Sequence, residues 1–156
     1  MSAFGNHRAA FATRERFPKA DKISILKPED LPEKFDADEN SVAVMMTHNY
    51  ALDREILKFL LSQPLAYIGA LGPKRRTENL LQESQIKVEI FSQTQINKLY
   101  APVGLDIVAA NPQTIALSII AEIQSVLSNR EGGFLHVRQS SIYDWKPKQS
   151  KFQINE

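Results

Sequence analysis

The chain contains no cysteine. Disulfides, thiolate metal sites and cysteine nucleophiles are therefore excluded together, and a reducing compartment is the natural setting. Histidine is scarce as well. His7, His48 and His136 stand far apart, so no set of His, Asp and Glu has the spacing of a metal site, and no Ser-His-Asp arrangement can be read. No apolar run reaches the roughly 18 residues that a membrane span needs. The opening MSAFGNHRAAFATRERF is basic but lacks the apolar block of a secretory signal. Charge of either sign is not in excess: 19 Lys and Arg against 18 Asp and Glu leave +1. Nothing global draws the chain to nucleic acid or to a membrane. These absences predict a soluble, cytoplasmic protein that binds neither.

What is present suffices for one domain. The chain has 156 residues, 43% of them hydrophobic and 24% charged, and no internal repeat. Its organising stretch is SVAVMMTHNYALDREILKFLLSQPLAYIGALGPKRR, Ser41 to Arg76. Val42 to Met46 is an apolar run without alternation, as in a parallel strand buried on both faces. Ile56, Leu57, Leu60 and Leu61 recur at helical spacing, predicting a helix over Leu52 to Ser62 that Pro64 stops. Ala66 to Ala70 is a second buried strand, broken by Gly69, Gly72 and Pro73. A βαβ unit results, and open parallel sheets take ligands outside the carboxyl ends of their strands. Thr47, His48 and Asn49 fall on that edge, as does the loop GALGPKRR.

The second of these loops is the more informative. Gly72 lets the backbone approach a ligand closely, and a helix starting at Pro73 and running to about Ser84 presents free N–H groups and the positive end of its dipole. Lys74, Arg75 and Arg76 in that first turn are unfavourable for the helix itself, a conflict that a bound anion such as phosphate would relieve. The competing account is a solvated basic turn. His48 can serve as acid, base or ligand, or simply as a loop histidine bonded to backbone. Asp53 reads as a helix cap. Pro102 to Asp106, PVGLD, is explained by turn chemistry. Glu122, among Ile119, Ile120 and Ile123, faces either solvent or a site at the helix flank, and solvent is the expectation on general grounds.

Elsewhere, Ile23 to Leu26 reads as a short strand and Pro28 to Lys34 as one or two helical turns. Leu80 and Leu81 give the helix after Pro73 its apolar face. Lys87 to Phe91 alternates as a weak strand, and Ser92 would cap a short helix, SQTQINKLY. Tyr100 to Ala110 is a loop with an embedded strand or turn. Asn111 and Pro112 form the clearest helix start in the chain. Ile115, Ala116, Ile119, Ile120, Ile123, Val126 and Leu127 carry one face of that helix to about Arg130, ended by Gly132 and Gly133. Residues 134–156, with Trp145 as an isolated anchor, read as a polar, loosely packed tail.

The segments FATRERFPKAD (Phe11 to Asp21), VMMTHNYALD (Val44 to Asp53), AYIGALGPKRR (Ala66 to Arg76), APVGLDI (Ala101 to Ile107) and NPQTIALSIIAEI (Asn111 to Ile123), in this order, resemble the C-terminal Rossmann-like domain of the XdhC/CoxI family. That family comprises accessory factors for xanthine dehydrogenase and related molybdenum hydroxylases. The family's usual serine is replaced here by Pro73. The resemblance implies an α/β fold: a partial Rossmann-like, three-layer domain with a mostly parallel sheet over residues 1–133. It implies a maturation factor that binds the molybdenum cofactor (molybdopterin) and assists its sulfuration or insertion, more as a chaperone than as an enzyme. The rival readings are an NAD(P)-binding oxidoreductase-like domain and a truncated structural remnant. The implied binding residues are Thr47, His48, Gly69, Gly72, Lys74, Arg75, Arg76, Gly104 and Asp106. Implied partners are a molybdenum hydroxylase apoenzyme, a cysteine desulfurase, and a second copy or a complementing half-domain.

A Rossmann domain of this family opens with a strand, a Gly-rich turn, a helix and a second strand, and nothing of that kind precedes Arg8. Gly5-Asn6-His7-Arg8 resembles the tail of the second strand, with Asn6 at the position where dinucleotide binders place a ribose-holding acid. Binding of NAD in the usual way is therefore not expected. In the order 3-2-1-4-5-6, the Ile23 strand is third and Val42 to Met46 fourth, with two missing strands between them, a gap of roughly 14 Å. Three closures are open: direct pairing of those two strands, strands from a second copy, or a separate polypeptide supplying the missing half.

Overall fold

The computed structural model describes residues 2–5, 12–83 and 91–144. Asn6, His7 and Trp145 lie outside them, as does all but Phe91 of the weak strand expected over Lys87 to Phe91.

Two parallel sheets form. β1 (Ser2–Gly5) pairs with β2 (Lys22–Ile25). β3 (Val42–Met45), β4 (Tyr67–Ala70) and β5 (Leu99–Tyr100) make the second sheet in the order β3-β4-β5. A 3-10 turn (Pro28–Asp30) and the short α1 (Leu31–Lys34) lie between β2 and β3. α2 (Tyr50–Ser62) connects β3 to β4, and α3 (Lys74–Glu83) with α4 (Gln93–Ile96) lies between β4 and β5. α5 (Pro112–Leu127) follows, and a 3-10 turn (Leu135–Val137) lies in the exposed stretch after it.

β4 is the centre because all four of its residues are buried. Side chains alternate along a strand, so Ile68 and Ala70 go to one face and Tyr67 and Gly69 to the other. Ile68 and Ala70 join Met45, Leu57, Leu60, Leu61, Leu65, Leu80 and Phe91 in the main core. This is the α2 and α3 side, built by the helical spacing of the leucines in LLS and by Leu80. Pro64 and Leu65 turn the chain back onto the sheet. On the other side Tyr67 meets α5, through a hydrogen bond to Glu122. The sheet thus lies between helices on both faces, the three-layer α/β architecture expected.

Three expectations need correction. β3 is not buried on both faces: Val42 and Val44 are exposed, Ala43 is half-buried and only Met45 is buried. The two valines are only partly covered, 39% and 37% exposed. Second, the Ile23 strand does not pair with Val42 to Met46. β2 pairs with β1 alone among the described residues, so Ser2–Gly5 supplies one of the two strands thought missing. Third, α5 is not sealed into the core along its whole apolar face. Ser118 and Ile119 are buried, whereas Ile120 and Leu127 are exposed.

Helix ends follow local chemistry closely. The Asn111 side chain accepts from Thr114 N–H at 2.9 Å, with Pro112 next, as the sequence predicts. α5 stops at Leu127, short of Arg130, and not through Gly132 or Gly133. Asn129 adopts φ +53°, its N–H donates to Val126 C=O at 3.1 Å, and Arg130 N–H reaches back to Ser125 C=O at 2.7 Å. That is the Schellman pattern with asparagine in place of glycine. Ser92 caps α4 with a reciprocal bond from its own N–H to Gln95 Oε1, 2.8 Å. The helix is shorter than SQTQINKLY suggests, because Leu99 and Tyr100 leave it to pair with β4.

Candidate functional site

The site forms where β3 and β4 end. Beyond β3 the chain turns sharply at His48, whose φ is +33°. Asn49 then caps α2, its side chain accepting from Leu52 N–H at 3.2 Å. Asp53, which the sequence suggests as a cap, is therefore available for other work. It lies four residues before Leu57 and so on the buried face of α2. A carboxylate there must be compensated. Thr47 Oγ1 donates to Asp53 Oδ1, and Arg76 Nη2 donates to Asp53 Oδ2 at 2.6 Å. The Asp53 side chain is 7% exposed and that of Arg76 24%. Thr47 Oγ1 also accepts from Asn49 N–H at 3.2 Å, which fixes the loop. The Arg76 guanidinium lies 5.9 Å over the Tyr50 ring. Its Nε is buried and has no hydrogen-bond partner among the described residues.

One charge pair therefore joins the two strand-end loops. Of the three cations, Arg76 is committed to Asp53. Lys74 is two residues away along the helix and so on the opposite side. It lines a shallow groove with Thr77, Leu81, Ile96 and Leu99, and makes a loose exposed pair with Glu78, 4.0 Å. Arg75 is exposed. Gly72 holds φ +144°, and a Cβ there would stand 3.3 Å from Arg76 Cδ. The loop passes close over the arginine because position 72 has no side chain. His48 is exposed and stands apart from the Thr47–Asp53–Arg76 network.

The PVGLD turn reaches the same edge by another route. Val103 N–H bonds the Ala70 carbonyl at 3.1 Å, at the carboxyl end of β4. Gly104 N–H donates to Glu122 Oε2 at 3.0 Å, and Tyr67 O–H donates to the same oxygen. Glu122 thus faces inward rather than to solvent. Burial, with Glu122 beside it, pushes the Tyr67 hydroxyl far above its ordinary pKa, and burial raises that of Tyr100, stacked on Tyr67 at 4.7 Å, less strongly. A Cβ on Gly69 would lie 2.6 Å from Val103 Cγ2, so this glycine serves the packing of the turn. Gly104, at φ +108°, leaves room for Ser118, whose Oγ donates to Leu105 C=O at 2.6 Å. Asp106 is exposed.

The structure thus brings Thr47 and Arg76 together through Asp53. It places Gly72, Lys74 and Arg75 around the start of α3, and ties Gly69 and Gly104 to a separate Tyr67–Glu122 cluster. Sequence reasoning reads Asp53 as a cap, does not single out Tyr67, and gives Glu122 a site at the helix flank only as the lesser alternative to solvent. The signal for Asp53 is its phase: a carboxylate in register with Leu57, Leu60 and Leu61. Among the described residues no group of His, Asp and Glu could hold a metal ion, and no helix is long and apolar enough to cross a membrane.

Residues 3–123 match the profile of the XdhC Rossmann domain. The chain belongs to the XdhC Rossmann-domain family. It is 40% identical over 116 residues to a Bacillus subtilis protein named as a probable xanthine dehydrogenase subunit, covering 74% of this chain and 32% of that one. It is 36% identical over 103 residues to the uncharacterized protein YqeB of Escherichia coli, covering 66% and 18%. A crystal structure described as a xanthine dehydrogenase from Bacillus halodurans superposes with a TM-score of 0.69 at 36% identity, covering 83% of this chain and 36% of that one. This XdhC-type chain therefore spans a third or less of the length of the two curated relatives.

Proposed function

We propose that the protein is an accessory factor for a molybdenum hydroxylase of the xanthine dehydrogenase type, and that it binds the molybdenum cofactor by its phosphate at the start of α3. The observation that carries this reading is the Arg76–Asp53–Thr47 bridge, which fixes the β3 and β4 loops against each other at the carboxyl edge of a parallel sheet. The residues present suit a phosphate-bearing ligand. Lys74 and Arg75 are exposed and open α3, where the positive end of the helix dipole favours an anion. Arg76 Nε adds a buried donor in need of an acceptor.

The cofactor, when bound, supplies the molybdenum and its sulfur chemistry. The chain's own residues hold and orient. Lys74 and Arg75 take the phosphate, Arg76 fixes the loop geometry, and His48 and the PVGLD turn with Asp106 border the crevice. Sulfuration would draw on a cysteine desulfurase, and insertion on the hydroxylase apoprotein. The working environment is the cytoplasm.

Titration of the purified chain with molybdopterin, NAD and AMP tests this. Saturable molybdopterin binding, weakened at least tenfold in Lys74→Ala/Arg75→Ala with unchanged thermal stability, is the expected result. Binding of NAD in preference would instead support a nucleotide-binding domain. Binding of none of the three would leave a structural module.

A further inference from the structure

We propose that the groove between α3, α4 and β5 binds a flat, uncharged heterocycle that carries a ring amide, of the purine or pteridine class. This goes beyond the phosphate reading and does not rest on it, because the ring needs no phosphate to be held.

Helical spacing builds one wall. Lys74, Thr77, Glu78 and Leu81 fall at i, i+3, i+4 and i+7 of α3 and so share a face. From Lys74 to Leu81 is two turns, about 10 Å along the axis. Ile96 of α4, Leu99 of β5 and Ala101, which follows β5 at the carboxyl edge of the sheet, complete the lining. Leu81, Ile96, Leu99 and Ala101 are all half-buried, so an apolar floor stays open. The groove encloses about 220 Å³. Pockets that take drug-sized ligands run from roughly 300 to 1,000 Å³. This one suits a two-ring fragment and not a whole dinucleotide.

Thr77 points to an occupant. It is 6% exposed, and its hydroxyl has no hydrogen-bond partner among the described residues. A buried hydroxyl is ordinarily bonded, because leaving it unsatisfied costs free energy. Among the described residues Arg76 Nε is the one side-chain polar atom both sealed from solvent and unpartnered. Thr77 Oγ1 therefore still meets open space, and the open space beside Thr77 is the groove.

The polar edge sets the chemistry. Lys74 Nζ and Glu78 Oε1 stand 4.0 Å apart on the same wall as that hydroxyl, and both side chains are exposed. The ammonium only donates, the carboxylate only accepts, and the hydroxyl does either. The two charges offset each other, so a simple anion loses beside Glu78 what it gains beside Lys74. A ring amide presents C=O and N–H on adjacent atoms of one edge. It can accept from Lys74 or Thr77 while it donates to Glu78, and its flat face lies on the aliphatic floor. Oxo-purines and oxo-pteridines have this edge on a two-ring body.

Titration of the 156-residue chain with hypoxanthine and with pterin, neither carrying phosphate, tests this, with benzoate as an apolar anion for comparison. The expected result is a saturable shift of the Leu81, Ile96 and Leu99 methyl signals in NMR spectra, with an affinity that hardly changes as salt is raised. Tighter binding of pterin names a cofactor ring as the occupant, and tighter binding of hypoxanthine a free purine. Thr77→Val should weaken binding roughly tenfold with an unchanged melting temperature, because the hydroxyl has no partner to lose. Glu78→Leu, an exposed change that removes the acceptor, should also weaken it and carries the test if Thr77→Val misfolds. Absence of shifts with both rings overturns the proposal. So does benzoate binding as tightly as the rings, or either folded variant binding them as tightly as the parent chain.

Discussion

Arg76 Nη2 and Asp53 Oδ2 lie 2.6 Å apart, so the first turn of α3 is fastened to the first turn of α2 across the ends of β3 and β4. Both groups are largely removed from water. Breaking such a pair leaves an uncompensated charge, which costs more than the pair itself contributes. Asp53→Ala should lower stability by about 3 kcal/mol in urea denaturation. Asp53→Ala/Arg76→Met should cost less than the two single changes added together. Additive losses would show that the pair does not couple the loops.

Gly104 is bound by two constraints at once. Its φ is +108°, and an added Cβ would stand 2.4 Å from Ser118 Oγ. Gly104→Ala should destabilise by about 1–3 kcal/mol and disturb the Glu122 contact. Gly133→Ala, where an added Cβ meets nothing within 4 Å, should shift stability by no more than about 0.5 kcal/mol. Thermal melts of the two variants make the comparison.

The Tyr67 hydroxyl predicts alkaline behaviour. Its folded pKa is raised by burial and by Glu122, so the folded state keeps a proton that the unfolded state releases near pH 10. By linkage, stability is fully present below about pH 10 and falls above it. Tyr67→Phe should flatten that decline in urea titrations between about pH 9 and pH 11. A decline of unchanged slope would place its origin in other groups.

Asn111 tests a feature read directly from the sequence. Its side chain accepts from Thr114 N–H and starts α5. Asn111→Ala should cost about 1 kcal/mol, and Asn111→Asp should be close to neutral. Chemical denaturation with matched slopes would separate the two.

Most of the fold was legible because it is written in local rules. Asn111-Pro112 and Ser92 mark helix starts by cap chemistry, and Ile56, Leu57, Leu60 and Leu61 announce a buried face by their period. The five family-like segments fixed the order of elements. Burial was less legible, because it depends on what lies across from a residue. Val42 and Val44 read as core in a continuous apolar run, yet each keeps more than a third of its surface exposed. Ile120 misleads in the same way. In the site, Lys74, Arg75 and Arg76 look equivalent as a tripeptide. Helical geometry separates them, since residues two apart point to opposite sides, and only the tertiary position of Asp53 decides which of them is claimed. Glu122 reads outward in sequence because its two donors, Tyr67 and Gly104, lie 55 and 18 residues distant along the chain.

The claim of Asp53 on one guanidinium also sets how strongly the crevice can hold an anion. Three cations in sequence reduce to two in effect, so a phosphate dianion arriving at α3 would be matched rather than overcompensated. Attraction between such exposed charges fades as ionic strength rises. Any anion held there would therefore exchange readily with solvent as salt is raised.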